Sequence, residues 1–490
     1  SLCNLLTQGA IDALQHHGSN KQQATYLPKM LTGEWSGTMN LSEPQAGSDV
    51  GAVATKAVPT DRGDDSYAIT GTKIWITHGE QDLTENIIHL VLARTPDAKP
   101  GTRGISMFLV PKFIPNEDGA LGERNDVEVV SIEHKLGIHG SPTCSMALGG
   151  KGQCKGTLLG QANKGMRAMF VMMNGARLGV GNQSLGLTEV AYQNALAYAK
   201  DRIQMRSLSG VKAPSKPADP ILVHPDVRRM LLTAKAYAEG GRALACYGAL
   251  LIDKELNHPD EKVRADSAEI LALLTPIVKA FLTDNGFQAT TMCQQVFGGH
   301  GYIKEWGMEQ YVRDSRINMI YEGTNTIQSL DLLGRKVLGN QGATLKKFGK
   351  EIEALIREEG VNEAMQEFIN PLADLGDKVT KLTTELGMKA MQNTDEVGGA
   401  AVDYLRVVGH LCFAYFFARM ARDAELHLAE VSELAAGMNL PQLKAWEFDW
   451  PEAEPPETAS YEAVHYRMSL RQAITLALAN ERAAEQFYRE

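Results

Sequence analysis

Cysteine is scarce in this chain, and basic clusters and long apolar runs are missing from it. Six cysteines are spread over 490 residues (Cys3, Cys144, Cys154, Cys246, Cys293, Cys412), with no CxxC pair. That excludes a disulfide framework and a thiolate zinc site, and it fits reduced thiols in a cytoplasm-like compartment. Net charge is −10 and no block of lysine and arginine stands out, so the charge pattern argues against nucleic acid as a partner. No apolar run approaches the ~18 residues that a membrane-spanning helix needs. Residues 411–418 form the longest notable run, so no transmembrane segment is expected. No signal-peptide pattern is visible in the first residues.

What is present is an ordinary globular composition, 44% hydrophobic and 22% charged, in a chain long enough for two to four domains. Residues 1–32 read as one helix and its exit, with Leu5, Ile11 and Leu14 on the apolar face and Pro28 as the boundary. Between 35 and 160 the pattern changes to short β-branched runs such as Ile87-Ile88-His89-Leu90-Val91-Leu92-Ala93 and Ile105-Ser106-Met107-Phe108-Leu109-Val110. Glycine, proline and aspartate clusters punctuate them, including a turn at 61–65, and a small barrel or sandwich follows. From 161 helical periods dominate, with Leu187, Ala191, Ala195 and Tyr198 on one face. A linker at 207–219 precedes helices over 220–247 and 261–297, which together predict an antiparallel bundle.

Beyond 338 the pattern stays helical. Residues 342–392 are amphipathic, and Tyr404, Leu405, Val407, Val408, Leu411, Cys412, Tyr415, Phe416 and Met420 form a broad buried stripe. A linker at 441–456 carries Trp446 and Trp450, and a last helix covers 461–488. This extension shows no chemistry and reads as structural packing.

Chemistry concentrates in Tyr321-Glu322-Gly323-Thr324-Asn325-Thr326-Ile327-Gln328. Gly323 breaks the helical period, which places Glu322 on a tight turn at a helix start that Thr324 caps. A carboxylate on a rigid connection can be aimed as a general base. The alternative is a first-turn acid that only favours the helix dipole. Residues 39–48 hold small residues that admit close backbone approach, and Ser48 is a hydroxyl donor. Lys73-Ile74-Trp75-Ile76-Thr77-His78-Gly79 offers an aromatic wall and a hydroxyl, or a plain strand with a core tryptophan. His134, His139 and Cys144 suggest a metal site on paper, but no carboxylate cluster joins them and a β-turn is the better reading.

Taken in order, Asn40-Leu41-Ser42-Glu43-Pro44-Gln45-Ala46-Gly47-Ser48-Asp49, the Trp75 stretch, Gln295-Val296-Phe297-Gly298-Gly299-His300-Gly301-Tyr302, Arg313-Asp314-Ser315-Arg316 and the Glu322 stretch resemble the acyl-CoA dehydrogenase family, from about residue 33 to about residue 336. The resemblance implies an α+β multidomain fold: a helical N-terminal remnant (1–34), a central β-barrel (35–160), a catalytic helical bundle (161–338) and a helical C-terminal extension (339–490). The extension is similar to that of longer members, including 3-(methylthio)propanoyl-CoA dehydrogenases. Members carry a helical domain ahead of the first flavin motif, so on the order of a hundred residues are expected before Ser1.

The implied reaction is FAD-dependent α,β-dehydrogenation of an acyl-CoA, with Glu322 as base and hydride transfer to flavin N5. Leu41, Ser42, Ser48, Trp75, Ile76, Thr77, Thr324 and Thr326 are the implied FAD contacts. Arg202, Gln295 and Gly299 are implied contacts to a neighbouring subunit's FAD. Met205 and Arg206 depart there from the family's aromatic and glycine. Ser48, Arg177, Tyr321 and Gly323 are the implied substrate contacts; for Arg177 a surface salt bridge is the alternative. The implied partners are a second copy of the chain, as homodimer or homotetramer, and an electron-transfer flavoprotein. An oxygen-using acyl-CoA oxidase and a catalytically silent flavin scaffold are the competing readings. A nitroalkane-type oxidation with an aspartate base is disfavoured because Glu322 holds that position.

Overall fold

The structure, a computed structural model, describes residues 2–60, 66–116 and 118–435. The turn at 61–65, the linker at 441–456 and the helix at 461–488 lie outside the described residues. The chain divides into two compact units, Ser1–Gln183 with Arg313–Ile327, and Ser184–Val312 with Gln328–Glu490.

The first unit opens with two helices, α1 (Leu2–His17) and α2 (Asn20–Leu31), where the sequence predicts one. Ser19 breaks the run as an N-cap: its hydroxyl accepts from the Gln22 amide while the Gln22 side chain caps Ser19 in return. Pro28 lies inside α2 instead of ending it. It removes one amide late in a helix whose Tyr26 and Met30 are buried, and that burial offsets the lost bond.

Ten strands follow among the described residues: β1 (Trp35–Asn40), β2 (Lys56–Pro59), β3 (Ser66–Thr77), β4 (Asn86–Ala93), β5 (Ser106–Pro111), β6 (Phe113–Pro115), β7 (Leu121–Arg124), β8 (Val127–Ile132), β9 (Thr143–Leu148) and β10 (Lys155–Leu159). Eight form one sheet in the order β1-β4-β5-β10-β3-β9-β8, with β2 on β3, and β6 pairs with β7. β1 runs parallel to β4 and the other pairs are antiparallel. The sheet curls as a half-barrel.

Every residue of β4 is buried, because both of its faces are covered. Ile88, Leu90 and Leu92 join Trp35, Leu14, Met30, Met169 and Met172 in the core shared with the helices. Val91 and Ala93 join Phe108, Val110, Cys144 and Met146 in a second core. β3 serves three partners: its first half pairs with β10 (residues 66–68) and β2 (residues 67–70), and residues 71–77 pair with β9 across a bulge between Lys73 and Ile76.

α3 (Gly165–Asp201) leads from the first unit into the second. There α4 (Pro225–Asn257) and α5 (Glu261–Val296) form the helical centre, and α8 (Ala343–Glu359), α9 (Gln366–Gln392) and α10 (Asp395–Ala435) follow; α6 (Met308–Ser315) carries the chain back into the first unit and α7 (Asn325–Leu330) out of it again. The helix expected to start at Thr324 changes character: α7 stops at Leu330 and the chain continues as a π-turn over Asp331–Val337.

α10 carries the expected stripe, with Tyr404, Leu405, Val408, Leu411, Cys412, Tyr415 and Phe416 buried. Gly409 makes the close approach possible, since a Cβ there would meet the Phe281 ring at 2.3 Å. Asp395–His427 is long and apolar enough, by length and composition only, to cross a membrane, a test that a buried core helix passes as well. It clears that test as one continuous helix, whereas residues 411–418 alone are short. About half of the apolar window, 56%, is buried against the rest of the protein.

Candidate active site

The Glu322 segment belongs to the first unit, with the half-barrel. After α6 the chain makes a tight turn at Arg316–Met319 and reaches Glu322 just before α7. Glu322 has φ +56° and Gly323 φ +83°. Left-handed backbone at a non-glycine residue costs about 1–2 kcal/mol and persists only where its surroundings fix it. Three contacts do so. Asp314 Oδ1 accepts the Ile138 amide at 2.6 Å. Arg313 Nη1 donates to Leu136 O at 3.1 Å. The Tyr321 hydroxyl donates to Gln183 Oε1 on α3. Thr324 caps α7 as expected, its Oγ1 accepting the Ile327 amide at 3.4 Å.

Burial, and after it the neighbouring Glu322 charge, push the Tyr321 hydroxyl well above the ordinary phenol range. Tyr321 therefore stays protonated and acts as an orienting donor. Thr326 is exposed. Arg177 is 6% exposed, with its guanidinium 5.9 Å from the Phe170 ring. A surface salt bridge is thus the wrong description of it. Gln183 is a support that the sequence reading did not single out, since it sits in unremarkable helical pattern with no local signal; Asp314 lies in a stretch the reading did quote, without a role assigned to it.

The two barrel stretches meet through Ile74, whose amide donates to Ser42 O at 3.0 Å. At the β3 bulge Trp75 has φ +61° and is 59% exposed. A core tryptophan is thereby ruled out. A large aromatic held outward by strained backbone, beside Ser42 and Thr77, suits a planar aromatic cofactor. Ile76 faces the other way, 2% exposed within the barrel core, so only its backbone is available to a ligand. Leu41 is buried at the end of β1. Glu43 and Ala46 exchange two backbone hydrogen bonds (3.0 and 2.9 Å), making a tight turn that leaves Gly47 and Ser48 exposed. His139 Nε2 donates to Lys135 O at 2.8 Å, a turn contact.

Arg202, Gln295 and Gly299 lie in the second unit, and all three are exposed. The stretch expected as a linker is a closed loop: buried Asp219 accepts the amides of Ser207, Lys212 and Ala213 at 2.9, 3.0 and 2.7 Å. Met205 has φ +62° on this loop and is 74% exposed. His300 packs, its Nδ1 2.8 Å from the Tyr198 hydroxyl and its ring stacked on Trp306.

Three family descriptions match the chain: acyl-CoA dehydrogenase, middle domain, over 38–149; acyl-CoA dehydrogenase, C-terminal domain, over 163–338; and acetyl-CoA dehydrogenase C-terminal like, over 348–444. A 3-methylmercaptopropionyl-CoA dehydrogenase of Ruegeria pomeroyi is 46% identical over 430 residues, 88% of this chain and 72% of that protein. The chain belongs to the acyl-CoA dehydrogenase family. It is an oxidoreductase acting on acyl-CoA.

Two solved structures share the fold. The Caenorhabditis elegans ACDH-11 in complex with C11-CoA has a TM-score of 0.74 at 22% identity, covering 87% of this chain and 68% of that one. An acyl-CoA dehydrogenase complexed with FAD from Bacillus anthracis has a TM-score of 0.66 at 21% identity, covering 98% and 70%. These matches do not favour the oxidase reading, and they support an oxidoreductase over a silent scaffold.

Proposed function

We propose that this chain carries out FAD-dependent α,β-dehydrogenation of an acyl-CoA thioester with Glu322 as the general base. The observation that carries the reading is the Glu322 turn, left-handed at φ +56° and tied down through Asp314, Arg313 and Tyr321, in a chain that matches the acyl-CoA dehydrogenase middle and C-terminal domains. Glu322 takes the α-proton of the thioester, and its backbone amide polarises the thioester carbonyl. Trp75 walls the flavin. The Ser42, Thr77 and Ser48 hydroxyls donate to it, Leu41 and the Ile76 backbone flank it, and Thr324 and Thr326 complete the set. FAD, when bound, supplies the acceptor for the β-hydride. Ser48, Arg177, Tyr321 and Gly323 face the substrate, with Tyr321 fixed by Gln183.

Arg202, Gln295 and Gly299, exposed on the second unit, reach the FAD of a neighbouring subunit in a homodimer or homotetramer. An electron-transfer flavoprotein reoxidises the enzyme. The six free cysteines suit a cytoplasmic location. The substrate is a short thioester of the 3-(methylthio)propanoyl-CoA kind or a fatty acyl-CoA. Anaerobic flavin bleaching across a panel holding that thioester and straight chains of several lengths tests the reading. Bleaching with at least one CoA thioester is expected, and no bleaching with any of them overturns the assignment.

A further inference from the structure

Two buried charges have no part in the reaction just described. The Lys73 side chain is 0% exposed and that of Glu43 4%. Their contact, Nζ to Oε1, is 2.7 Å. Lys73 spends its other two donors on backbone carbonyls of separate elements, Leu41 O at 3.1 Å and Leu92 O at 2.8 Å. The Glu43 carboxylate is filled as well. Oε1 also accepts the Thr55 amide (3.1 Å) and hydroxyl (2.6 Å), and Oε2 accepts Gln45 Nε2 (2.6 Å) and the Ala54 amide (2.8 Å). Burial works against both charges. For Glu43 the Lys73 charge and the donors overcome it and hold the carboxyl down to about 2. Lys73 remains a cation at neutral pH, although burial draws it down to about 8.

A buried pair of this kind is seldom worth more than two apolar side chains of the same volume, so net stability is a poor account of it. Its position supplies a better one. The pair closes the loop from 41 to 55 and stands two residues before Trp75 on β3. A trans peptide points its carbonyl and its following amide in opposite directions. Lys73 draws the Leu41 carbonyl inward, and the Ser42 amide is thereby turned outward. The Ile74 amide fixes the other side of the same residue through Ser42 O.

We infer that Glu43 and Lys73 are a positioning pair that aims the flavin-binding backbone at Leu41–Ser42 and locks it to the Trp75 bulge. This rests on the placement of FAD proposed above. The pair touches neither substrate nor cofactor; it acts through the Leu41 carbonyl and the Ser42 amide.

The test separates holding the fold together from aiming the cofactor. In the full chain, Glu43→Leu with Lys73→Met removes both charges and leaves none unpaired. The double variant should unfold, as apoprotein, within a few degrees of wild type. Its FAD dissociation constant should rise at least about tenfold, and the visible flavin band should change shape. A double variant that binds FAD with wild-type affinity and spectrum overturns the inference. If that variant does not fold, Gln45→Leu with Thr55→Val takes its place, since it strips two side-chain donors from Glu43 and spares the ion pair. A several-fold weaker FAD affinity at unchanged stability supports the inference, and unchanged affinity overturns it. Trp75→Ala is titrated alongside. If that variant holds FAD as wild type does, the flavin lies elsewhere, and the site reading fails along with the inference.

Discussion

Asp314 and Ile138 are joined by a 2.6 Å hydrogen bond from the Ile138 amide to Asp314 Oδ1, which ties the Glu322 segment to the loop ahead of β9. Ile138 is itself left-handed at φ +47°, so both ends of the tie are fixed. A hydrogen bond to a charged acceptor contributes about 1.5–3 kcal/mol, less where water reaches it. Asp314→Ala is expected to lower the unfolding temperature and cut turnover sharply while FAD affinity changes little. Thermal unfolding, turnover and FAD titration on one preparation check this.

Trp75 gives a prediction in which stability and binding part company. Its side chain is 59% exposed on left-handed backbone, and glycine adopts that backbone without the steric cost. Trp75→Gly should leave the apoprotein as stable as wild type or slightly more so, by up to about 1 kcal/mol. FAD retention should fall. A loss of apoprotein stability above that size would show that Trp75 packs in the free protein.

Gly71 lies on β3 under Thr55, and a Cβ there would meet Thr55 Oγ1 at 2.3 Å and Thr55 Cβ at 2.8 Å. Gly71→Ala should displace Thr55, cost about 1–3 kcal/mol, and remove two of the donors that hold Glu43. Denaturant unfolding measures the first effect and FAD titration the second.

His89 on β4 is buried, with Nδ1 2.7 Å from Thr38 Oγ1. Burial lowers its imidazole from 6.5 to about 4. Below pH ~6.5 the unfolded chain takes up a proton that the folded chain refuses until about 4, so stability falls as pH falls through that window. The loss reaches about 3 kcal/mol at most. His89→Gln should flatten the stability profile between those limits. An unchanged slope would place the acid sensitivity in other groups.

Much of this arrangement is legible in the sequence, because period and punctuation report burial directly. The α10 stripe and the Thr324 cap are read from side-chain type alone. The strands at 87–93 and 105–110 are equally plain. Other features leave no local mark. Lys73 occurs in a strand pattern where a lysine ordinarily faces water, and only the curl of the sheet buries it among Leu41, Glu43 and Leu92. The left-handed backbone of Trp75, Ile138 and Glu322 is imposed by tertiary contacts on residues that do not favour it. Pro28 within α2 and the closed loop around Asp219 are likewise decided by packing and by a buried acceptor. Sequence near those residues reads as punctuation.

The most direct test of the account is anaerobic reduction of bound flavin by acyl-CoA in Glu322→Gln. Glutamine keeps the size of the side chain and removes its basicity. The variant should purify with FAD and bind the thioester, and it should bleach its flavin at least about 10²–10⁴-fold more slowly than wild type. Bleaching at close to the wild-type rate would contradict the assignment of Glu322 as the base.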